Sequence, residues 1–101
     1  MDLDALTQAM FDFVEGQGWL EEDSPKQQTQ RNLAISLVLE AAEVLEHFQW
    51  RDEARDPAEL ADELADVMLY LLQLASFSGI DLGQAVMAKL EKNRAREWRE
   101  S

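Results

Sequence analysis

Apolar residues recur along this chain at helical rather than strand spacing. Leu6, Met10, Phe13 and Val14 share one face of a segment from about Asp4 to Glu15, which predicts a helix that stops at Gly16 or Gly18. A polar loop from Trp19 through Gln28 follows, and a second helix is predicted from about Thr29 to Trp50, a stretch free of Gly and Pro. Asp56-Pro57-Ala58-Glu59 sets a capping Asp, a Pro at the first helical position and a Glu three residues after the cap. That third helix should reach about Ser76 or Ser78 and end at Gly79. Asp81-Leu82-Gly83-Gln84 repeats the capping pattern and opens a fourth helix toward Trp98. No stretch alternates at the strand period, so the pattern predicts an all-α chain: a four-helix bundle-like single domain over residues 1–101.

The third helix is apolar over most of its circumference. Leu60, Leu64, Val67, Met68, Leu69, Leu71, Leu72 and Leu74 cannot all face one neighbour, so this helix is expected at the centre of the fold or at a subunit interface. In so short a chain that points to a homo-oligomer, a homodimer or homotetramer.

Two pairs of acids interrupt the apolar stripes. Successive helical residues rotate by about 100°, which places Glu40 about 20° from Leu33 and inside the apolar arc of the second helix, with Glu43 at its border. On the third helix Glu63 falls between Val67 and Tyr70, about 40° and 20° to either side, and Asp66 flanks it. The i, i+3 spacing aims both members of each pair the same way. His47 lies between Glu40 and Glu43 on the same wheel and is placed beside the acids, not among the ligands. A lone acidic pair is ordinarily a solvated face. Here no Lys or Arg occurs from Asn32 to Trp50 or from Asp56 to Ala88, so neither helix carries a basic partner for its acids. An unpaired buried carboxylate costs on the order of several kcal/mol, so four of them need compensation. A hard divalent cation with oxygen ligands, Mg²⁺ or Mn²⁺, would supply it. The basic residues of the C-terminus could supply part of it instead.

The overall balance narrows the function classes. With 9 basic and 21 acidic residues the net charge is −12, which excludes nucleic-acid binding by phosphate neutralisation. Five of the nine cations, Lys89, Lys92, Arg94, Arg96 and Arg99, cluster at the end, where they would also complement a helix dipole. The absence of cysteine excludes disulfides, thiolate metal sites and cysteine nucleophiles. The longest apolar run, Val67 to Leu72, is too short to span a bilayer, and Met1-Asp2-Leu3-Asp4 lacks the basic start of a signal peptide. No membrane partner and a cytoplasmic location are therefore expected.

Glu40-x-x-Glu43, nineteen intervening residues and Glu63-x-x-Asp66 together resemble the MazG-like nucleotide pyrophosphohydrolases of the all-α NTP pyrophosphatase superfamily. The setting resembles them as well: Asn32-Leu33 before the first pair, "EHFQW" after it, "DELADVMLYLL" around the second, and Lys89 through Asn93 near the end. The resemblance implies Mg²⁺-dependent hydrolysis of a nucleoside triphosphate between the α and β phosphates, with a house-cleaning role. By matching position, Glu40, Glu43, Glu63 and Asp66 would hold Mg²⁺, for which Mn²⁺ could substitute, and one of them could act as general base. Lys89, Asn93 and Arg96 would contact phosphates, and Trp19, Trp50, Tyr70 and Asn32 would bind the nucleoside. The chain departs from many relatives at Gln28, where they carry a His, in a longer loop from Trp19 to Asn32, and in the ending Arg96-Glu97-Trp98. Hydrolysis of dUTP or of phosphoribosyl-ATP on the same scaffold is an alternative. A non-catalytic helical module whose acids pair with arginines is another.

Overall fold

The structure is a computed structural model that describes residues 2–100, with side chains to Arg96. It consists of four helices: α1 (Leu3–Gly16), α2 (Gln30–Glu46), α3 (Pro57–Phe77) and α4 (Leu82–Glu100). The all-α reading and the order of helices agree with the expectation, and no strand is present among the described residues.

Each start is set by a side-chain cap. The carboxylate of Asp2 accepts from Ala5 N at 2.8 Å, Thr29 Oγ1 from Asn32 N at 3.1 Å, and Asp56 Oδ1 from Ala58 N at 3.0 Å. Asp81 Oδ1 accepts from Gln84 N at 3.1 Å and opens α4. Two helices end on a left-handed glycine. After α1, Gly18 has φ 73° and Trp19 N donates back to Val14 O. After α3, Gly79 has φ 69° and Ile80 N donates back to Ala75 O. Both follow the Schellman pattern, in which a residue without Cβ turns the chain while the last carbonyls gain partners. Gly18, not Gly16, is therefore the stop after α1.

The end of α2 differs from the sequence expectation. The helix stops at Glu46 rather than Trp50; residues 47–50 form a turn, and Trp50 itself takes the left-handed φ of 69°. Arg55 N then donates to His47 O, closing the connection to α3. Neither Gly nor Pro marks this end, so the periodic pattern ran past it.

α3 packs against both α1 and α2. Met10, Val14 and Leu72 form the buried core, with Leu3, Leu6, Phe11, Trp19, Met68 and Leu82 packed around it. α2 and α3 run antiparallel, because Gln30 Nε2 donates to Ser78 Oγ at one end while His47 meets Glu63 at the other. α4 turns 99° from α3 after the glycine stop and meets the rest of the chain at its first turn, through Leu82 and the approach of Gly83 to Leu3. The chain is consequently elongated, with extents of 54 × 36 × 27 Å and a radius of gyration of 16.4 Å. A compact chain of this length would have about 13 Å. Much of α2 and α4 lies bare: Ile35, Val38, Leu39 and Leu45 on the first, Val86, Met87 and Leu90 on the second are exposed. No single helix is long and apolar enough to cross a membrane among the described residues. The side chains of Trp98 and Arg99 lie outside the described residues.

Asp56→Ala removes the acceptor for two backbone N–H groups at the start of α3. It is expected to cost about 1 kcal/mol. In a domain of this size that is a fall of roughly 4–8 °C in the unfolding midpoint followed by circular dichroism.

Candidate active site

The antiparallel register lays Glu40 and Glu43 of α2 beside Glu63 and Asp66 of α3. Glu40 and Glu63 are half-buried, and Glu43 and Asp66 are exposed at the rim. Burial pushes the Glu40 carboxyl above its usual range, and the neighbouring carboxylates of Glu43, Asp66 and Glu63 push the same way. The four acids thus share one field. Glu40 Oε2 and Glu63 Oε2 are sealed from solvent without a hydrogen-bond partner. Two unsatisfied buried oxygens of this kind are costly in a folded chain.

His47 is the neighbour that the sequence underrated. Its side chain is only 1% exposed, and Nε2 lies 2.8 Å from Glu63 Oε2. The two meet at ion-pair distance but without hydrogen-bond alignment, since that oxygen and His47 Nδ1 both lack a partner. His47 therefore backs Glu63 from inside the fold rather than facing solvent beside it.

Among the described residues, no three His, Asp or Glu side chains converge closely enough to chelate an ion as they stand. The donor set nonetheless fits one. All four acids offer oxygen, two of those oxygens are sealed and unpartnered, and the exposed Glu43 and Asp66 are free to turn inward. Such a set suits a hard divalent cation.

A cleft of about 420 Å³ begins beside these acids, with Asp66, Trp19, Tyr70 and Gln73 in its wall. A second cleft of about 430 Å³ shares Trp19 and Tyr70 with the first and adds Lys26, Gln28 and Asn32. Trp19 is held edge-on by Phe13, centroids 5.6 Å apart, and Lys26 Nζ sits 4.9 Å over its ring. The Asn32 amide donates to Gln27 O and so braces the loop that carries these groups. Spaces of this size suit small molecules, and aromatic walls with a few polar groups are their usual lining.

The remaining expectations divide. Trp50 is 94% exposed and stands outside both clefts, because its left-handed turn carries it off the end of α2. The expectation that it lines a nucleoside pocket is therefore not met within one chain. Lys89, Asn93 and Arg96 are exposed on α4, and none forms an ion pair with the four acids. The 99° turn before α4 directs them elsewhere within one chain. Sequence reasoning passed over Gln73, which is 4% exposed and whose Nε2 donates to Gln28 Oε1. Its signal was present: a lone amide in the largely apolar "VMLYLLQLASF".

Comparison with known proteins identifies the family. The MazG-like family profile matches residues 35–100. The chain belongs to the MazG-like family. It is 40% identical over 75 residues to dCTP pyrophosphatase 1 of Bos taurus, an alignment covering 65% of this chain and 44% of that protein. It is 47% identical over 47 residues to the dATP/dGTP diphosphohydrolase of Cyanophage S-2L, covering 46% of this chain and 41% of the phage protein. The chain therefore spans less than half the length of the curated relatives it matches. Among solved structures it resembles a pyrophosphatase from Archaeoglobus fulgidus, with a TM-score of 0.80 and 35% identity over 93% of this chain and 90% of that one.

The raised pKa of Glu40 has a consequence for stability. A carboxyl shifted upward by folding favours the folded state below its ordinary value of 4.5 and loses that advantage as pH rises through the shifted value. Glu40→Gln removes the charge, so without added metal its unfolding midpoint is expected to exceed the parent's at pH 7. At about pH 4 that gain should vanish, and thermal melts at the two pH values check it.

Proposed function

We propose that this chain is a divalent-metal-dependent nucleoside triphosphate pyrophosphohydrolase, cutting between the α and β phosphates to give a nucleoside monophosphate and pyrophosphate. The observation that carries the reading is the gathering of four carboxylates with no Lys or Arg partner among the described residues, beside a cleft walled by Asp66, Trp19 and Tyr70. Glu40, Glu43, Glu63 and Asp66 would hold Mg²⁺, or Mn²⁺ in its place. A divalent cation held by these acids would supply charge neutralisation for the phosphates and acidify a water. His47 restrains Glu63 from behind, and one of the four carboxylates takes the proton from the attacking water. Trp19 and Tyr70 flank the base, because rings of this kind gain from stacking on any nucleobase. Asn32 and Lys26 border the second cleft beside Gln28, at the end of the site away from the acids, where they would meet the nucleoside. The matched relatives are named for dCTP and for dATP and dGTP, which supports deoxynucleoside triphosphates as the substrate class and a role in nucleotide house-cleaning.

The same reading includes a homo-oligomer. The exposed apolar residues of α2 and α4 need cover, and an elongated chain leaves Lys89, Asn93, Arg96 and Trp50 pointing away from its own acids. In a dimer or tetramer these residues reach a neighbouring copy's site, where the cations neutralise the leaving phosphates. Sedimentation at micromolar concentration is expected to show a dimer or tetramer; a monomer would remove this part of the reading.

The direct test is product analysis across the common NTPs and dNTPs with Mg²⁺ and with EDTA. Monophosphate plus pyrophosphate, lost in EDTA and lost in Glu63→Gln at unchanged helicity, is expected. Orthophosphate as the product, or full activity in the Gln variant, would contradict it.

A further inference from the structure

Gln73 is a polar side chain in the wrong place for a structural residue. It is 96% buried within the central helix, borders the aromatic cleft, and bonds one neighbour, Gln28. A primary amide has two N–H donors and one carbonyl acceptor. Gln28 settles which way it points. The Gln28 Nε2 donates to the backbone carbonyl of Lys26 at 2.6 Å, so its Oε1 must be the acceptor that faces Gln73. Gln73 must therefore turn its nitrogen toward Gln28 and its carbonyl oxygen the other way. No described residue donates to that oxygen, and it is not among the sealed partnerless atoms, so it keeps its access at the cleft wall.

Its position along α3 adds the second half of the case. Asp66, Tyr70 and Gln73 follow one another on the face that borders the cleft. At 1.5 Å per residue, Gln73 lies about 10 Å along the helix from Asp66, with the aromatic ring between them. A nucleotide with its phosphates at the acids and its base beside Tyr70 ends with the far edge of that base at Gln73.

We propose that Gln73, locked by Gln28, selects nucleotides whose base carries an exocyclic amino group at that far edge: cytosine at position 4 or adenine at position 6. This rests on the nucleotide reading of the cleft given above. The carbonyl accepts the amino N–H. A keto oxygen at the same point, as in uracil, thymine or hypoxanthine, sets oxygen against oxygen, and the amide cannot flip to offer its N–H without breaking the bond to Gln28. A site built to pair one polar group discriminates strongly against an analogue that leaves it unpaired.

The test compares substrates that differ at this group, dCTP with dUTP and dATP with dITP, by kcat/KM with Mg²⁺. The parent chain is expected to favour each amino partner by roughly 10- to 100-fold, the discrimination typical of a well-placed amide–base contact. Gln73→Met keeps the volume and should bring both ratios to within about threefold of unity. Gln28→Met leaves Gln73 in place but frees its amide, and should shrink the ratios in the same direction. It stands in if the first variant does not fold. Tryptophan fluorescence titrations of the parent with dCMP and dUMP, without metal, read base selection independently of hydrolysis. Equal kcat/KM for amino and keto partners in the parent overturns the proposal, as does a preference that survives both substitutions. If no triphosphate is hydrolysed, the hydrolase reading fails and the titrations decide: tighter dCMP upholds the selection by Gln73, and equal or absent binding overturns it.

Discussion

The constraint on which the rest depends is the antiparallel pairing of α2 and α3, which brings four carboxylates together with no Lys or Arg side chain paired to them among the described residues. Their helices contain no Lys or Arg in the paired stretches, and two of the oxygens are sealed without partners. Burial and mutual repulsion drive Glu40 toward its neutral form. A chain optimised for stability alone would place apolar residues here, because like charges without counterions gain nothing from desolvation. The arrangement makes sense as a site held ready for positive charge.

The remaining structure serves to hold that pairing. α3 is apolar nearly all round because it meets α1 and α2 on its flanks and carries the site on the face between them. Its start is fixed by Asp56 and its end by Gly79, so the phase of Glu63 and Asp66 relative to the core is set at both ends. The buried His47 lies under Glu63, and the Gln30 contact to Ser78 pins the far end of the pair. Rigid helices rather than loops thus carry the acids, the placement that keeps ligands within a narrow range of positions.

Much of this was legible in the sequence. The caps at Asp56 and Asp81 and the left-handed glycines are local chemistry, so three of the four helices were bounded within a residue or two. The acids stood out because a charge inside an apolar stripe violates the helical period. What escaped depends on tertiary geometry. The early end of α2 has no Gly or Pro to announce it, and the burial of His47 follows from how the next segment folds back over it. Gln73 was visible as a lone amide among apolar residues, but its meaning required Gln28, forty-five residues away, to be placed beside it. The separation of Lys89, Asn93 and Arg96 from the acids follows from the 99° turn at the start of α4, which no residue pattern expresses as an angle.

The most direct measurement of the central idea, that these acids are arranged for a divalent cation, is the unfolding midpoint of the unaltered chain with and without Mn²⁺ or Mg²⁺ at neutral pH. A ligand that binds only the folded state must stabilise it, by about 2.7 kcal/mol at a hundred times its dissociation constant. The midpoint is expected to rise as millimolar metal is added and to return when EDTA is supplied. A midpoint indifferent to millimolar metal would mean that the four carboxylates are not a cation site and that their shared field is relieved in some other way.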